Sequence, residues 1–210
     1  MPSLHLTADE RRKRTVETVL ALAGQGSPSE ITTAAIADHM SVTQGALFRH
    51  FATKAEIWQA VMTWVADRLL DRIDRASEAA ASPLAGLRAM FFTHVAFVIE
   101  HPGVPRMMFA ELQRAEQTPA KKVARSLMKR YAHRISSRLE DAKAAGEVLR
   151  DTDSEAAAIL FIGMIQGLVM QSMLAGNLRA AQTHAPGLFA IFLRGLGAEP
   201  ALPRRSRGSS

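Results

Sequence analysis

Apolar positions along this chain recur at intervals of three and four residues, and the strict alternation a half-buried strand needs is missing. The pattern predicts an all-α protein of about nine helices. Thr7-Ala8-Asp9-Glu10 reads as a capping box, opening a helix that buries Val16, Val19, Leu20 and Ala23 and ends at Gly24 and Gly26. A short second helix starts at Thr32 or Thr33 and turns Ile36, Ala37 and Met40 to one side. Ser41-Val42 breaks the pattern, and Thr43 caps a third helix carrying Leu47 and Phe51. Thr53-Lys54-Ala55-Glu56 is a second capping box, and the helix it opens runs to about Ala80 along Ile57, Val61, Trp64, Val65, Leu69 and Ile73. Ser82-Pro83 and Thr118-Pro119 each pair a cap with a proline suited to the first helical position. They open helices to about Glu100 and about Ala145, with a short helix around Pro105 to Arg114 between them.

One segment departs from this amphipathic rule. Ala156 to Leu178 carries no charge and is long enough to cross a bilayer, with Gly163 and Gly167 in a GxxxG spacing. Gln166, Gln171 and Ser172 dilute it, and nothing else in the chain reads as a second span. A helix buried on most sides of a soluble assembly fits better, the glycines letting a partner helix approach. With a last helix, about Ala185 to Leu196, it predicts a four-helix homodimer interface that includes Gly163, Gly167, Phe189 and Phe192.

Composition narrows the classes. A hydrophobic content of 48% over 210 residues allows a sizeable core. The absence of cysteine rules out disulfides and thiolate metal sites and suits the cytoplasm. No secretory signal is expected, because the first ten residues hold no apolar run behind a basic lead. The net charge of +6 says little about nucleic acid, since Arg204, Arg205 and Arg207 in the last stretch supply half of it. No nucleophile–base pair, paired carboxylates or phosphate loop is visible, so an enzyme ranks last and no cofactor is expected. His94 and His101 share a face without a third ligand, so no metal is expected either. Arg11 to Arg14 form a basic run, read as a solvated face in preference to a phosphate-binding arm.

Residues 36 to 54, IADHMSVTQGALFRHFATK, carry a resemblance to a known family. Their unbroken spacing is similar to the DNA-binding segment of the TetR family of bacterial transcriptional regulators, close to I-A-x-x-A-G-V-S-x-G-x-L-Y-x-Y/H-F-x-x-K. Two departures stand out. Ser41 occupies the turn where glycine is usual, and Phe48 replaces a tyrosine whose hydroxyl often touches phosphate. The resemblance implies that Thr33, Thr43, His50 and Lys54 contact phosphates. It further implies that Gln44 and Arg49 read base edges, that Gly45 permits close approach, and that Phe48 meets a thymine methyl.

The expected organisation is therefore a helix-turn-helix DNA-binding domain at 1–53, a helical ligand-binding and dimerisation domain at 54–198, and a disordered basic tail at 199–210. The expected activity is that of a homodimeric repressor on double-stranded palindromic DNA, released by a small apolar molecule. Trp64, Phe91, His94, Met107, Met108 and Met164 are candidate pocket residues, with Phe92, Phe109 and Met170 in the same apolar set. The competing reading is a non-catalytic helical interaction protein, or a membrane-associated one with 156–178 in lipid.

Overall fold

A computed structural model describes residues 7–198; the basic tail expected at 199–210 lies outside the described residues. Among those residues there are nine α-helices, one 3-10 turn at Pro28–Glu30, and no strand. α1 (Ala8–Gln25), α2 (Thr33–His39) and α3 (Gln44–Phe48) form a small cluster at the N-terminal end of α4 (Lys54–Glu78). α5 (Pro83–Glu100) and α7 (Pro119–Ala144) pack along the rest of α4, α8 (Ser154–Leu174) packs on α5 and α7, α9 (Ala180–Gly195) packs on α5 and α8, and α6 (Gly103–Gln113) lies between α1 and α7.

The helix starts follow the capping chemistry of the sequence. Thr7 and Glu10 satisfy each other's backbone donors. Ser82 and Thr118 accept from Ala85 and Lys121, each with proline as the first helical residue. At α4 the box is altered: Thr53 accepts from the Glu56 N–H, but Glu56 reaches past it to the Ala52 N–H at 2.8 Å.

The ends of the last two helices differ from expectation. Asp153 caps α8 through the N–H groups of Glu155 and Ala156, and the helix stops at Leu174, four residues before the uncharged segment does. Gly176 (φ 67°) closes it, with Gly176 N–H bonded to Met173 and Asn177 N–H to Ser172. α9 begins five residues earlier than expected and carries Pro186 within it.

The core is aromatic where four helices meet. Phe91 of α5 lies 5.4 Å from Phe161 of α8 and 5.1 Å from Phe189 of α9, ring centre to ring centre. Phe161 also meets Tyr131 of α7 and Phe192 of α9. Edge and tilted geometries dominate, as the ring quadrupole favours. α5 and α8 are both long and apolar enough to cross a membrane, so α5 has the length and composition of a second span, contrary to the sequence reading. In each helix 44% of the apolar stretch is buried inside the protein. On α8 the buried half is a defined face: Phe161, Ile165 and Val169 are enclosed, while Ile159 and Leu174 are 71% and 81% exposed.

Candidate nucleic-acid interface

The turn between α2 and α3 sets the geometry of the N-terminal cluster. Ser41 sits at φ 56°, the left-handed conformation that glycine adopts freely. Its N–H bonds to Asp38 and that of Val42 to Ala37, both at 3.0 Å, which together close α2 as a Schellman motif. The serine in the turn is thus a strained residue doing a glycine's task. Two residues on, Thr43 caps α3 by accepting from the Ala46 N–H at 3.1 Å.

Five residues cannot hold a helix together in water, so α3 depends on what lies behind it. Leu47 and Phe51 are buried against a floor that includes Ile36 and Ile57. Arg12 of α1 completes the hold. Its guanidinium donates to the His50 carbonyl at 2.5 Å and lies 4.3 Å from the centre of the Phe51 ring. The basic run at 11 to 14 is therefore neither a plain solvated face nor a free arm: Arg12 is a clamp, while Lys13 pairs loosely with Glu17. Sequence reasoning missed this, because only the fold brings residue 12 beside residue 50.

The face of α3 turned away from that floor holds Gln44, Gly45, Phe48 and Arg49, all exposed. Phe48 is 42% exposed, unusual for a phenylalanine with a packed core one residue away. A Cβ on Gly45 would meet nothing nearer than the Thr43 hydroxyl at 3.9 Å, so the protein's own packing does not demand glycine there. Thr43 is exposed, and its hydroxyl can still donate outward while its oxygen caps the helix. Thr33 is the first residue of α2, not its cap; Thr32 takes that role. His50 is half-buried with Nε2 enclosed and unpartnered among the described residues, so that nitrogen is turned away from any external phosphate. Lys54 is exposed at the start of α4, its ammonium 4.7 Å from the centre of the Trp58 ring. Burial, and secondarily the Arg114 guanidinium, lower its pKa from the ordinary lysine value.

The expected ligand residues do not gather in one place. A cavity of about 60 Å³ lies between α4, α5, α6, α7 and α8, and His94 and Met108 line it together with Phe97, Met128 and Gln166. Phe91 and Met107 are fully buried in the packed core. Trp64 is half-buried against Phe97 and His101, and the buried tryptophan of α4 is Trp58. Met164 borders a separate open groove with Gly163, Gly167, His184 and Leu188. His94 and His101 point to different neighbours, Tyr131 and Trp64. Glu100 pairs with Arg72, and Glu111 accepts from the Thr118 hydroxyl.

The dimer residues divide in the same way. No heavy atom comes within 4 Å of a Cβ placed on Gly163 or Gly167, so both open outward. Phe189 and Phe192 do not. They are buried in the aromatic core of the protomer and are unavailable to a partner, because α9 turns that face toward Phe91 and Phe161.

A short helix pair that exposes the second helix, carried on a larger helical body with its own cavity, defines a helix-turn-helix regulator. Comparison with known proteins places it further. Residues 17–61 match the bacterial regulatory proteins of the tetR family, and residues 80–170 match the tetracyclin repressor-like C-terminal domain. The chain belongs to the TetR family of DNA-binding transcriptional regulators. It is 29% identical over 181 residues to the nucleoid occlusion factor SlmA of Idiomarina loihiensis, covering 84% of this chain and 92% of that one. The ketosteroid transcriptional regulator KstR2 of Mycobacterium tuberculosis has the same fold, with a TM-score of 0.70, 21% identity and coverage of 90% and 96%. So does the regulator FadR of Bacillus subtilis, solved with stearoyl-CoA, with a TM-score of 0.75, 14% identity and coverage of 87% and 98%.

Proposed function

We propose that this regulator is a cytoplasmic homodimeric repressor that reads a palindromic operator with α3 and lets it go when a small, largely apolar molecule enters the cavity. The observation that carries this reading is the face of α3. Gln44, Gly45, Phe48 and Arg49 are exposed, while Arg12, Leu47 and Phe51 hold the helix from behind. Gln suits adenine and Arg suits guanine in the major groove, with Thr33, Thr43 and Lys54 set around them for phosphates.

Dimerisation rests on the outward stripe of α8. Ile159, Gly163, Gly167, Met170 and Leu174 follow one another at spacings of four, four, three and four, and Ile191 of α9 is exposed as well. Small residues flanked by large apolar ones suit a helix crossing closely, and two copies would place two reading heads on successive major grooves.

Release would run through α6. Val104, Pro105, Met108, Phe109 and Leu112 of that helix form one wall of the cavity. At its first residue, a Cβ on Gly103 would lie 2.1 Å from the Leu20 carbonyl oxygen of α1, so the two helices touch backbone to backbone. A cavity of about 60 Å³ must widen to accept an effector, and a displaced α6 moves against α1, which holds α3 through Arg12. Effector and DNA then favour different conformers, and each weakens the other's binding. The test is selection of DNA from a random pool, followed by footprinting and sedimentation of the complex. Two protections about one helical turn apart by one dimer are expected; a monomeric complex, or no selected sequence, would overturn the reading.

A further inference from the structure

Nδ1 of His94 and the hydroxyl of Tyr131 are two of the buried polar atoms that have no hydrogen-bond partner among the described residues. They belong to adjoining rings, with centroids 5.3 Å apart, reaching across from α5 and α7. Tyr131 is fully buried, and His94 lines the cavity itself. A buried donor or acceptor left unmet is unfavourable by about 1–3 kcal/mol, so two together mark a place where a polar group from elsewhere would be welcomed.

The rest of the wall limits what that group is. Apart from His94, the one polar lining side chain is Gln166, whose amide gives only a weak bond to the Met128 sulfur at 3.8 Å. No Lys, Arg, Asp or Glu lines the cavity. A carboxylate or ammonium taken inside would lose its water without gaining an opposite charge, which is heavily unfavourable. Burial also lowers the His94 pKa to about 4, so the imidazole is neutral near pH 7 and offers a hydrogen bond without a charge.

We propose that the effector is an uncharged molecule with an apolar body and one hydroxyl or carbonyl head, and that His94, backed by Tyr131, is the group that recognises the head. A hydroxyl can serve either tautomer of the imidazole, because it both donates and accepts; a carbonyl serves only the one with Nδ1 protonated. Phe97, Met108, Phe109 and Met128 would wrap the body, and methionine lets such a wall reshape.

The inference rests on the effector-responsive reading above, and its test is made on the DNA-free protein so that the two can fail separately. Binding of 1-decanol, 2-decanone, decane and decanoate is compared by calorimetry and thermal shift on the wild type, His94→Phe and Tyr131→Phe. Wild type should prefer the alcohol or the ketone to both decane and decanoate by about tenfold or more. His94→Phe should erase the preference over decane, and Tyr131→Phe should reduce it. Both variants should fold, since each removes an unmet polar atom. Equal binding of decane, stronger binding of decanoate, or a preference that survives both substitutions would overturn the proposal. Operator binding by the same preparations is measured apart. Its failure would sink the DNA reading and leave the head-group result standing.

Discussion

The guanidinium of Arg12 donates to the backbone carbonyl of His50 at 2.5 Å, tying the first helix to the residue just past α3. With its stacking on Phe51, this contact makes the orientation of a five-residue helix depend on a side chain of α1, thirty-eight positions before His50.

Arg12→Ala should therefore loosen α3 while leaving the rest of the fold in place. The loss of stability should be on the order of 1 kcal/mol, since the side chain is largely exposed. Operator affinity should fall more than that, and amide exchange at 44 to 51 should quicken. An Arg12→Ala protein with wild-type exchange there and wild-type affinity would show that the clamp is incidental.

Arg49→Ala and Lys54→Ala should separate base reading from phosphate holding. The first should relax preference at one position of each half-site, by about 1–3 kcal/mol against the wrong base. The second should weaken binding to all sequences and shallow the salt dependence by roughly one unit of slope. Binding isotherms on cognate and shuffled DNA across a salt series distinguish them.

At the turn, Ser41→Gly should stabilise the protein. A left-handed serine is unfavourable by about 1–2 kcal/mol, against about 0.5–1 kcal/mol for the added freedom of an unfolded glycine. A gain of about 0.5–1 kcal/mol in denaturant unfolding is expected, and Ser41→Val should lose stability instead.

Gly103→Ala addresses the contact between α1 and α6. The new methyl would press on the Leu20 carbonyl, so the helices must part, at about 2 kcal/mol or more. If α6 conveys cavity occupancy to the reading head, this variant should also bind operator more weakly without any effector. A merely destabilised protein would show the first effect alone, below its melting range.

Acid should destabilise the fold through His94. Burial depresses its folded-state pKa from 6.5 to about 4, so between those values the unfolded chain binds more protons than the folded one. Stability from this group is complete above pH 6.5 and falls as pH drops toward 4, by up to roughly 3 kcal/mol. Unfolding measured from pH 7.5 to 4.5 should show this slope, and His94→Phe should flatten it.

The sequence by itself determined the helical class, most of the helix starts and the helix-turn-helix. These are local matters. Caps such as Thr7, Thr43, Ser82 and Thr118 act within four residues, and the period of apolar positions follows from helix geometry alone. Even the strain at Ser41 was legible, because a turn that glycine normally fills needs a positive φ whatever stands there. What faces what was decided only by the tertiary structure. Phe189 and Phe192 read as well for an interface as for a core, since both are apolar surfaces seeking burial, and only the placement of α9 against Phe91 and Phe161 turned them inward. In the same way, Arg12 became a clamp and His94 the unmet group of a cavity through neighbours distant in sequence. Hydrophobic periodicity says which side of a helix is buried; it carries no information about which other helix does the burying.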